Sequence, residues 1–211
     1  MKITSDTFED GGIIPGRCGF CVKDPKTFLR LSHNLSPQLE WRGAPEGTQS
    51  FALVCIDPDA PATKPDYVNT PGTLIPAKYP RGNFVHWLMA DIPASVTELA
   101  EGACSRAVIP GGKRIPAGPD GSRQGLNDYT GWFAGDQNME GPYLGYDGPC
   151  PPFNDSIPHH YIFTVYALDV PSLGLTGAFT LAELRRGLDG HVLAEAELMG
   201  RYTTNPDIRL K

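Results

Sequence analysis

A buried strand that runs into a proline-fixed pair of aspartates constrains this chain more than any other feature. The apolar run at 51–56 leads directly into Asp57-Pro58-Asp59-Ala60-Pro61. Proline fixes φ, removes an N–H donor and pushes the preceding residue toward an extended backbone. We therefore expect Asp57 and Asp59 to be held stiffly where a strand gives way to a loop, a place where rigid scaffolds present functional groups. The alternative is an Asx turn that caps the strand.

Short apolar or alternating segments recur along the chain and predict a largely β fold. Gly, Pro or Asp bounds each of them, and the totals of 24 Gly and 21 Pro suit an architecture with many turns. The clearest strand candidates are 51–56, 84–90, 103–109 and 161–168, and weaker ones lie at 3–7, 29–31 and 39–41.

Helical signals come late in the chain. Thr180 is predicted to cap a helix over 181–186, with Glu183 completing a capping box and Gly187 ending the helix. A second helix is predicted over 191–199. Because strands come first and helices last, we expect a mainly β, antiparallel β-sandwich with short C-terminal helices, as a single domain over residues 1–211.

Charge and hydropathy exclude several classes of partner. The 24 acidic and 18 basic residues give a net charge of −6, and the basic residues form no stripe or cluster. Nucleic acid is therefore not an expected partner, and attraction to anionic membranes is weak. No apolar run reads as a secretory signal or as a bilayer span, so stable membrane insertion is not expected and the predicted location is cytoplasmic.

Two long segments have no clear periodicity. One is 62–82, which separates the aspartates from His86, and the other is 110–145, which carries Tyr129 and Trp132. Irregular segments of this length are often functional. Both could rim one pocket, or either could pack against a neighbouring subunit.

The cysteines give only weak signals. Five is an odd number, inconsistent with a complete disulfide framework. Cys18-Gly19-Phe20-Cys21 is a C-x-x-C motif, which can indicate zinc binding, redox exchange or coincidence. A structural zinc site needs four ligands and no second Cys pair exists, so coincidence is the favoured interpretation. Cys55 lies in a predicted buried strand and is expected to act as a small hydrophobe.

Several motifs lie in order along nearly the whole chain. They are Asn34-Leu35-Ser36-Pro37 with Leu39 and Trp41, the Asp57–Pro61 run, His86-Trp87-Leu88, Gly125–Tyr129, Tyr146–Pro152, His159-His160-Tyr161, Gly190–Ala194 and Gly200-Arg201-Tyr202. This set resembles the phosphatidylethanolamine-binding protein (PEBP) family, and in particular its bacterial and archaeal Raf-kinase-inhibitor-like branch. The resemblance implies two packed sheets in one domain. The segment 62–82 departs from it, being longer than in compact bacterial members.

The resemblance also implies a pocket for a small anion. In that pocket Asp57 and His86 orient the ligand, His159 and Tyr161 line it, and the remaining site residues are Asp59, Ala60, Gly148 and Pro149. If His86 and His159 lie beside a carboxylate, the pKa of each imidazole should rise, because the negative charge stabilises the protonated ring. A cationic ring can then donate to phosphate or carboxylate oxygens.

Other site residues have specific expected roles. Asp59 and Ala60 hold the loop, and the Tyr161 hydroxyl adds a donor. Gly148-Pro149 brings the backbone close to the ligand with a free N–H aimed at it. Cys150 lies near the pocket, but no argument lowers the pKa of its thiol.

Several of these residues have a structural alternative. His86 could be a core histidine satisfied by backbone groups. His160 is expected at the surface, because side chains alternate along a strand. Asn127 and Asp128 are expected to stabilise a turn, and Ala60–Pro61 is a candidate cis bond.

The favoured function is non-catalytic binding of a small anion: phosphate, a phosphorylethanolamine-like headgroup or a carboxylate. No Gly-x-Ser-x-Gly elbow, P-loop or Gly-x-Gly-x-x-Gly motif points to an enzyme, and no cofactor or metal is expected. The first alternative is a regulatory module of the kinase-inhibitor kind, with an unidentified protein partner and a possible homodimer. The second is a hydrolase or metal-dependent enzyme that uses His86, His159 and Asp57.

Overall fold

Eleven strands form three sheets in the computed structural model, which describes all 211 residues. In chain order they are β1 (Lys2–Thr4), β2 (Gly12–Ile13), β3 (Cys21–Asp24), β4 (Phe28–Leu31), β5 (Leu39–Arg42), β6 (Ser50–Pro61), β7 (Arg81–Pro93), β8 (Glu98–Leu99), β9 (Arg123–Gln124), β10 (His159–Leu168) and β11 (Val192–Tyr202). The large sheet has the order β2-β11-β10-β6-β7-β9, a smaller one the order β1-β5-β8, and β3 pairs with β4. All these strand pairings are antiparallel except the short contact between β2 and β11.

The main core lies between the three-stranded and six-stranded sheets. Trp41 of β5 packs edge-on against Phe51 of β6, with ring centroids 5.5 Å apart. Phe163 and Val165 of β10 and Leu198 of β11 belong to the same buried cluster. The mainly β sandwich predicted from the sequence is therefore confirmed.

Two short helices complete the fold, α1 (Tyr129–Trp132) and α2 (Leu181–Leu188). Leu184 and Leu188 of α2 pack with Val54 and Leu88 on the other face of the large sheet. Since β6 and β7 are covered on both faces, their sequences are nearly continuous apolar runs rather than alternating ones. Neither helix is long and apolar enough to cross a bilayer.

The strand that carries the two aspartates extends further than predicted. β6 continues to Pro61, and its pairing with β7 is irregular between Asp57 and Ala60. Asp57 and Asp59 therefore lie inside a distorted strand and not in a loop after it. The predicted cis bond at Ala60–Pro61 is wrong, since the chain has no cis peptide.

The predicted helix over 191–199 is wrong, because this segment is strand β11. It pairs with β10 along its length. Ala194, Ala196 and Leu198 pack in the main core, whereas Glu195 and Glu197 are exposed. This period of two fits a strand with one buried face. Packing against β10 and the core overrides the helix preference of Ala and Glu.

The predicted strand over 103–109 is also wrong. This segment forms turns and bends. The Cys104 N–H donates to Ser36 Oγ, and the Ser36 N–H donates to the carbonyl of Ser105. These backbone groups are thus bonded to a neighbouring loop instead of a strand.

The capping box of α2 offers a test of the fold's local determinants. Thr180 Oγ1 accepts the Glu183 N–H at 3.3 Å, and Glu183 Oε2 accepts the Thr180 N–H at 2.8 Å. We expect Thr180→Ala to lower the free energy of unfolding by about 1 kcal/mol. Thr176→Ala is the control, because Thr176 is exposed and lies outside the helix. Equal denaturation midpoints for the two variants would contradict a stabilising cap.

Candidate functional site

A small cavity lies at the end of the main core, where β6, β7 and β10 meet. Its volume is about 30 Å³, enough for about two water molecules. A carboxylate or part of a phosphate fits inside, and the rest of a larger ligand must remain outside. The cavity is bordered by Asp57, Ala60, Pro61, Phe84, His86, Tyr129, Trp132, Cys150, Pro151, Pro152, His159 and Tyr161.

His159 is buried between two carboxylates. Its Nδ1 lies 2.6 Å from Asp57 Oδ2, and its Nε2 lies 3.2 Å from Asp155 Oδ2. Burial alone would lower the pKa of this ring, but the two carboxylates outweigh burial and raise it to about 9. The sequence-based prediction of a raised pKa is confirmed for His159. However, both N–H groups are occupied, so neither is free for a ligand.

Arg81 extends this arrangement to four alternating charges. Its Nη1 and Nη2 donate to Asp155 Oδ2 and Oδ1 at 2.5 and 3.0 Å. Burial opposes ionisation of Asp155, but the bonds from His159 and Arg81 hold its pKa below the ordinary value. We call Arg81, Asp155, His159 and Asp57 the ion chain. Its two cations and two anions sum to zero, which keeps any one charge from being buried without a partner.

The segment 62–82 holds the ion chain in place but does not border the cavity. The Ile75 N–H donates to the carbonyl of Asn154, and the side chains of Asn69 and Asn154 each accept a backbone N–H across the same contact. These bonds fix the residues next to Asp155. Of the two segments predicted to rim a pocket, 110–145 does so, through Tyr129 and Trp132.

Neither Arg81 nor Asp155 was predicted as a site residue. Asp155 and Arg81 are separated by 74 residues. Asp155 precedes His159 by four residues, a spacing that indicates contact only in a helix. No local pattern could have identified either residue.

His86 differs from His159 in its protonation. Its Nδ1 lies 2.7 Å from the carbonyl of Asp147, which can only accept, so Nδ1 carries the proton. Nε2 has no hydrogen-bond partner within the chain. Burial lowers the pKa of this ring despite the nearby carboxylate of Asp57. The predicted rise in pKa is therefore wrong for His86, whose neutral form is favoured.

Tyr161 brings an unpaired hydroxyl to the cavity. The side chain is 1 % exposed, and its hydroxyl has no hydrogen-bond partner. Its ring centroid lies 5.0 Å from that of His86. Burial raises the pKa of Tyr161 well above its ordinary value, so the hydroxyl keeps its proton and remains a donor.

Gly148 and Pro149 do not present a free N–H, contrary to the prediction. The Gly148 N–H donates to Asn34 Oδ1 at 2.8 Å, and its carbonyl accepts from the Tyr129 hydroxyl. The Pro149 carbonyl accepts the Phe20 N–H. Glycine is required at 148 for packing, because a Cβ there would overlap the carbonyl oxygen of Cys18.

Of the remaining predicted site residues, Ala60 borders the cavity and Asp59 does not. Asp59 Oδ2 accepts the backbone N–H of His160 and lies 2.7 Å from its ring Nδ1. The His160 side chain is 41 % exposed, so its predicted place at the surface is confirmed. Asn127 Oδ1 accepts the Tyr129 N–H, in keeping with the predicted turn-stabilising role. Both side chains also join distant segments, since Asn127 donates to Asp147 Oδ2 and Asp128 accepts the Val85 N–H.

A disulfide forms part of the cavity wall. Cys150, which borders the cavity, is bonded to Cys21 of β3. Cys18 is free, so the two cysteines of the C-x-x-C motif do not act as a pair, and coincidence remains the interpretation of their spacing. The bridge was not predicted because its partners are separated by 129 residues.

The alternative of a metal site at His86, His159 and Asp57 finds no support in the geometry. No group of three or more His, Cys, Asp or Glu side chains is arranged to hold an ion. Both nitrogens of His159 contact carboxylates, so neither offers a lone pair to a metal.

The raised pKa of His159 predicts a pH-dependent stability. The pKa of His159 is about 9 in the fold, against 6.5 in the unfolded chain, and this difference contributes about 3 kcal/mol to the free energy of unfolding. Because the folded pKa is the higher one, this contribution is complete below pH 6.5 and is lost as pH rises through 9. Denaturant titrations across this range should show the loss in the wild type. It should be smaller in Asp155→Asn, where one carboxylate no longer favours the cation.

Asp169→Asn is the matched control, since Asp169 pairs with His191 at the surface. It should leave the wild-type pH profile unchanged. An Asp155→Asn profile that follows the wild type would contradict the assignment of the charge to His159.

Comparison with known proteins agrees with the fold and with the order of the motifs. The sequence profile described as phosphatidylethanolamine-binding protein matches residues 4–203. A UPF0098 protein of Methanothermobacter thermautotrophicus is 33% identical over 202 residues, covering 96% of this chain and 98% of its own. A UPF0098 protein of Aquifex aeolicus is 31% identical over 204 residues, covering 96% and 88%.

Solved structures show the same similarity. The crystal structure of YbcL from Escherichia coli, described as a member of the mammalian PEBP family, superposes with a TM-score of 0.68 at 30% identity. It covers 96% of this chain and 97% of the YbcL chain. These matches extend over nearly the whole sequence, and the chain therefore belongs to the phosphatidylethanolamine-binding protein family.

Proposed function

We propose that this chain binds a small anionic group in the cavity without turnover. The group is a carboxylate or phosphate, including that of a phosphorylethanolamine-like headgroup. One observation carries the proposal: Tyr161 and His86 border the same small cavity, the buried Tyr161 hydroxyl has no partner within the chain, and His86 contacts the Asp147 carbonyl through Nδ1. A buried polar group without a partner costs stability, and a ligand that supplies the missing bonds removes that cost.

The charges around the cavity determine how an anion can enter. The ion chain is neutral overall, and both N–H groups of His159 are occupied. No fixed cation therefore faces the ligand. Since the lone pair of neutral Nε2 repels an anion, binding requires a proton between them, either on His86 or on the ligand itself.

The same contacts favour binding over hydrolysis. Asp57 Oδ1 accepts the Asp59 N–H, and Oδ2 is bonded to His159. Both oxygens are thus used to hold the chain together, which makes Asp57 a weaker candidate for the general base that hydrolysis needs. Cys150 is held in a disulfide, so it is not a nucleophile.

A recess beside the cavity offers room for the remainder of a larger ligand. It shares Ala60, Pro61, Phe84 and Trp132 with the cavity and has a volume of about 350 Å³. Lys64 lies at this recess, with Nζ 4.7 Å from the centroid of the Trp132 ring. A regulatory role, a protein partner, a homodimer and a cytoplasmic location stay predictions from the sequence.

Tyr161→Phe separates binding from stability. Removing an unpaired buried hydroxyl should leave the free energy of unfolding unchanged or raise it by about 1 kcal/mol. The affinity for acetate and inorganic phosphate should fall about tenfold, because the donor to the anion is lost. Calorimetric titration near pH 6 and denaturant unfolding measure the two effects.

Tyr146→Phe is the matched control. The Tyr146 hydroxyl is buried but donates to the carbonyl of Cys18, away from the cavity. Its loss should lower stability by about 1 kcal/mol and leave affinity unaltered. If both variants bind as the wild type does, the ligand is not where we place it.

Anion binding should be coupled to proton uptake at His86. Above the pKa of the free ring, each pH unit is expected to weaken acetate binding about tenfold, because the neutral ring must first be protonated. Titrations in two buffers of different ionisation enthalpy count the protons taken up. His160→Ala should keep this dependence, whereas His86→Ala should abolish binding. Binding by the wild type without proton uptake would refute the role of His86.

A further inference from the structure

The bridge between Cys21 and Cys150 is the one chemically reactive part of the cavity wall that binding does not use. Cys21 is 2 % exposed, whereas Cys150 is half-buried and borders the cavity. From residue 147 to residue 158 the chain has no helix or strand. The covalent link to β3 therefore joins an irregular wall to a regular element.

We propose that this bridge is a thiol-exchange site that controls access to the cavity. With the bridge closed the cavity admits an anion. After reduction the Cys150 thiol enters the cavity and excludes the anion. The inference rests on the proposed function and names its regulation.

Packing determines which sulfur moves when the bond is cleaved. Two sulfurs that are no longer bonded must separate to van der Waals contact. The Cys21 backbone is held on both sides, since its N–H donates to the Pro149 carbonyl and its carbonyl accepts from the Tyr202 hydroxyl. Cys150 has the cavity beside it. A Cys150 thiol displaced toward that side occupies space that the anion would otherwise fill.

Cleavage of the bridge needs a dithiol reductant. One thiolate of the dithiol attacks the sulfur of Cys150, the less buried of the two cysteines, and the Cys21 sulfur leaves with the bonding electron pair and takes up a proton. The second thiolate of the reductant then attacks its own sulfur in the mixed disulfide and releases the Cys150 thiol. The protein gains two electrons and two protons, and the dithiol becomes a disulfide.

The other three cysteines are not expected to take part. Cys18, Cys55 and Cys104 are free and buried. Burial raises the pKa of Cys18 and of Cys104 to about 12, and that of Cys55 well above its ordinary value. Since the thiolate is the reactive form, exchange is confined to the bridge.

The test compares phosphate binding by the oxidised protein, by the protein after dithiothreitol, and by a Cys21→Ala/Cys150→Ala double variant that has no thiol at the wall. We expect the reduced protein to bind inorganic phosphate at least tenfold more weakly and reoxidation to restore binding. The double variant should bind as the oxidised protein does, with or without dithiothreitol. Cys104→Ala, which removes a thiol remote from the cavity, should respond to reduction like the wild type.

Equal affinity of the oxidised and reduced wild type would overturn the proposal and leave the bridge a purely structural link. Loss of affinity in the double variant with its fold intact by circular dichroism would also overturn it, because no thiol is then present to block the cavity. Absence of phosphate binding by the oxidised protein would refute the proposed function instead. In that case the NMR signals of the His86 ring still test whether the Cys150 thiol moves. A shift of these signals on reduction would support entry of the thiol into the cavity, and unchanged signals would refute it.

Discussion

A histidine with carboxylates on both ring nitrogens joins the parts of the chain that form the cavity. Asp57 comes from β6, His159 from β10, Asp155 from the irregular segment before it, and Arg81 from the start of β7. Removing one partner from such a buried set leaves an uncompensated charge, at a cost of about 3–5 kcal/mol. The relative position of these elements is therefore fixed by electrostatics as well as by apolar packing.

The two cavity histidines show how the same residue type takes opposite roles in one site. His159 has two carboxylate partners that stabilise its cation, whereas His86 has a backbone carbonyl on one nitrogen and nothing on the other. Pairing dominates in the first ring and desolvation in the second. The His159 cation supports the architecture, and the neutral His86 ring is the one that can exchange a proton with a ligand.

The long central strands β6, β7 and β10 could be predicted from sequence. They lie in the middle of the large sheet, so their sequences are largely apolar and can be recognised as strands. β11 could not, since Ala and Glu favour helices and only pairing with β10 makes the segment a strand. For the site, the motifs identified Asp57, His86, His159 and Tyr161 as neighbours. The protonation of the two histidines and the partners Arg81 and Asp155 depend on burial and on contacts between distant residues, which no local pattern records.

The segment between β6 and β7 holds the ion chain from outside, and this has an evolutionary consequence. Surface loops accept insertions and deletions more readily than strands do. Here such a change would alter the support of Asp155 while every residue bordering the cavity stayed the same. A change in the length of this one loop would therefore act on the ion chain without any substitution in the pocket itself.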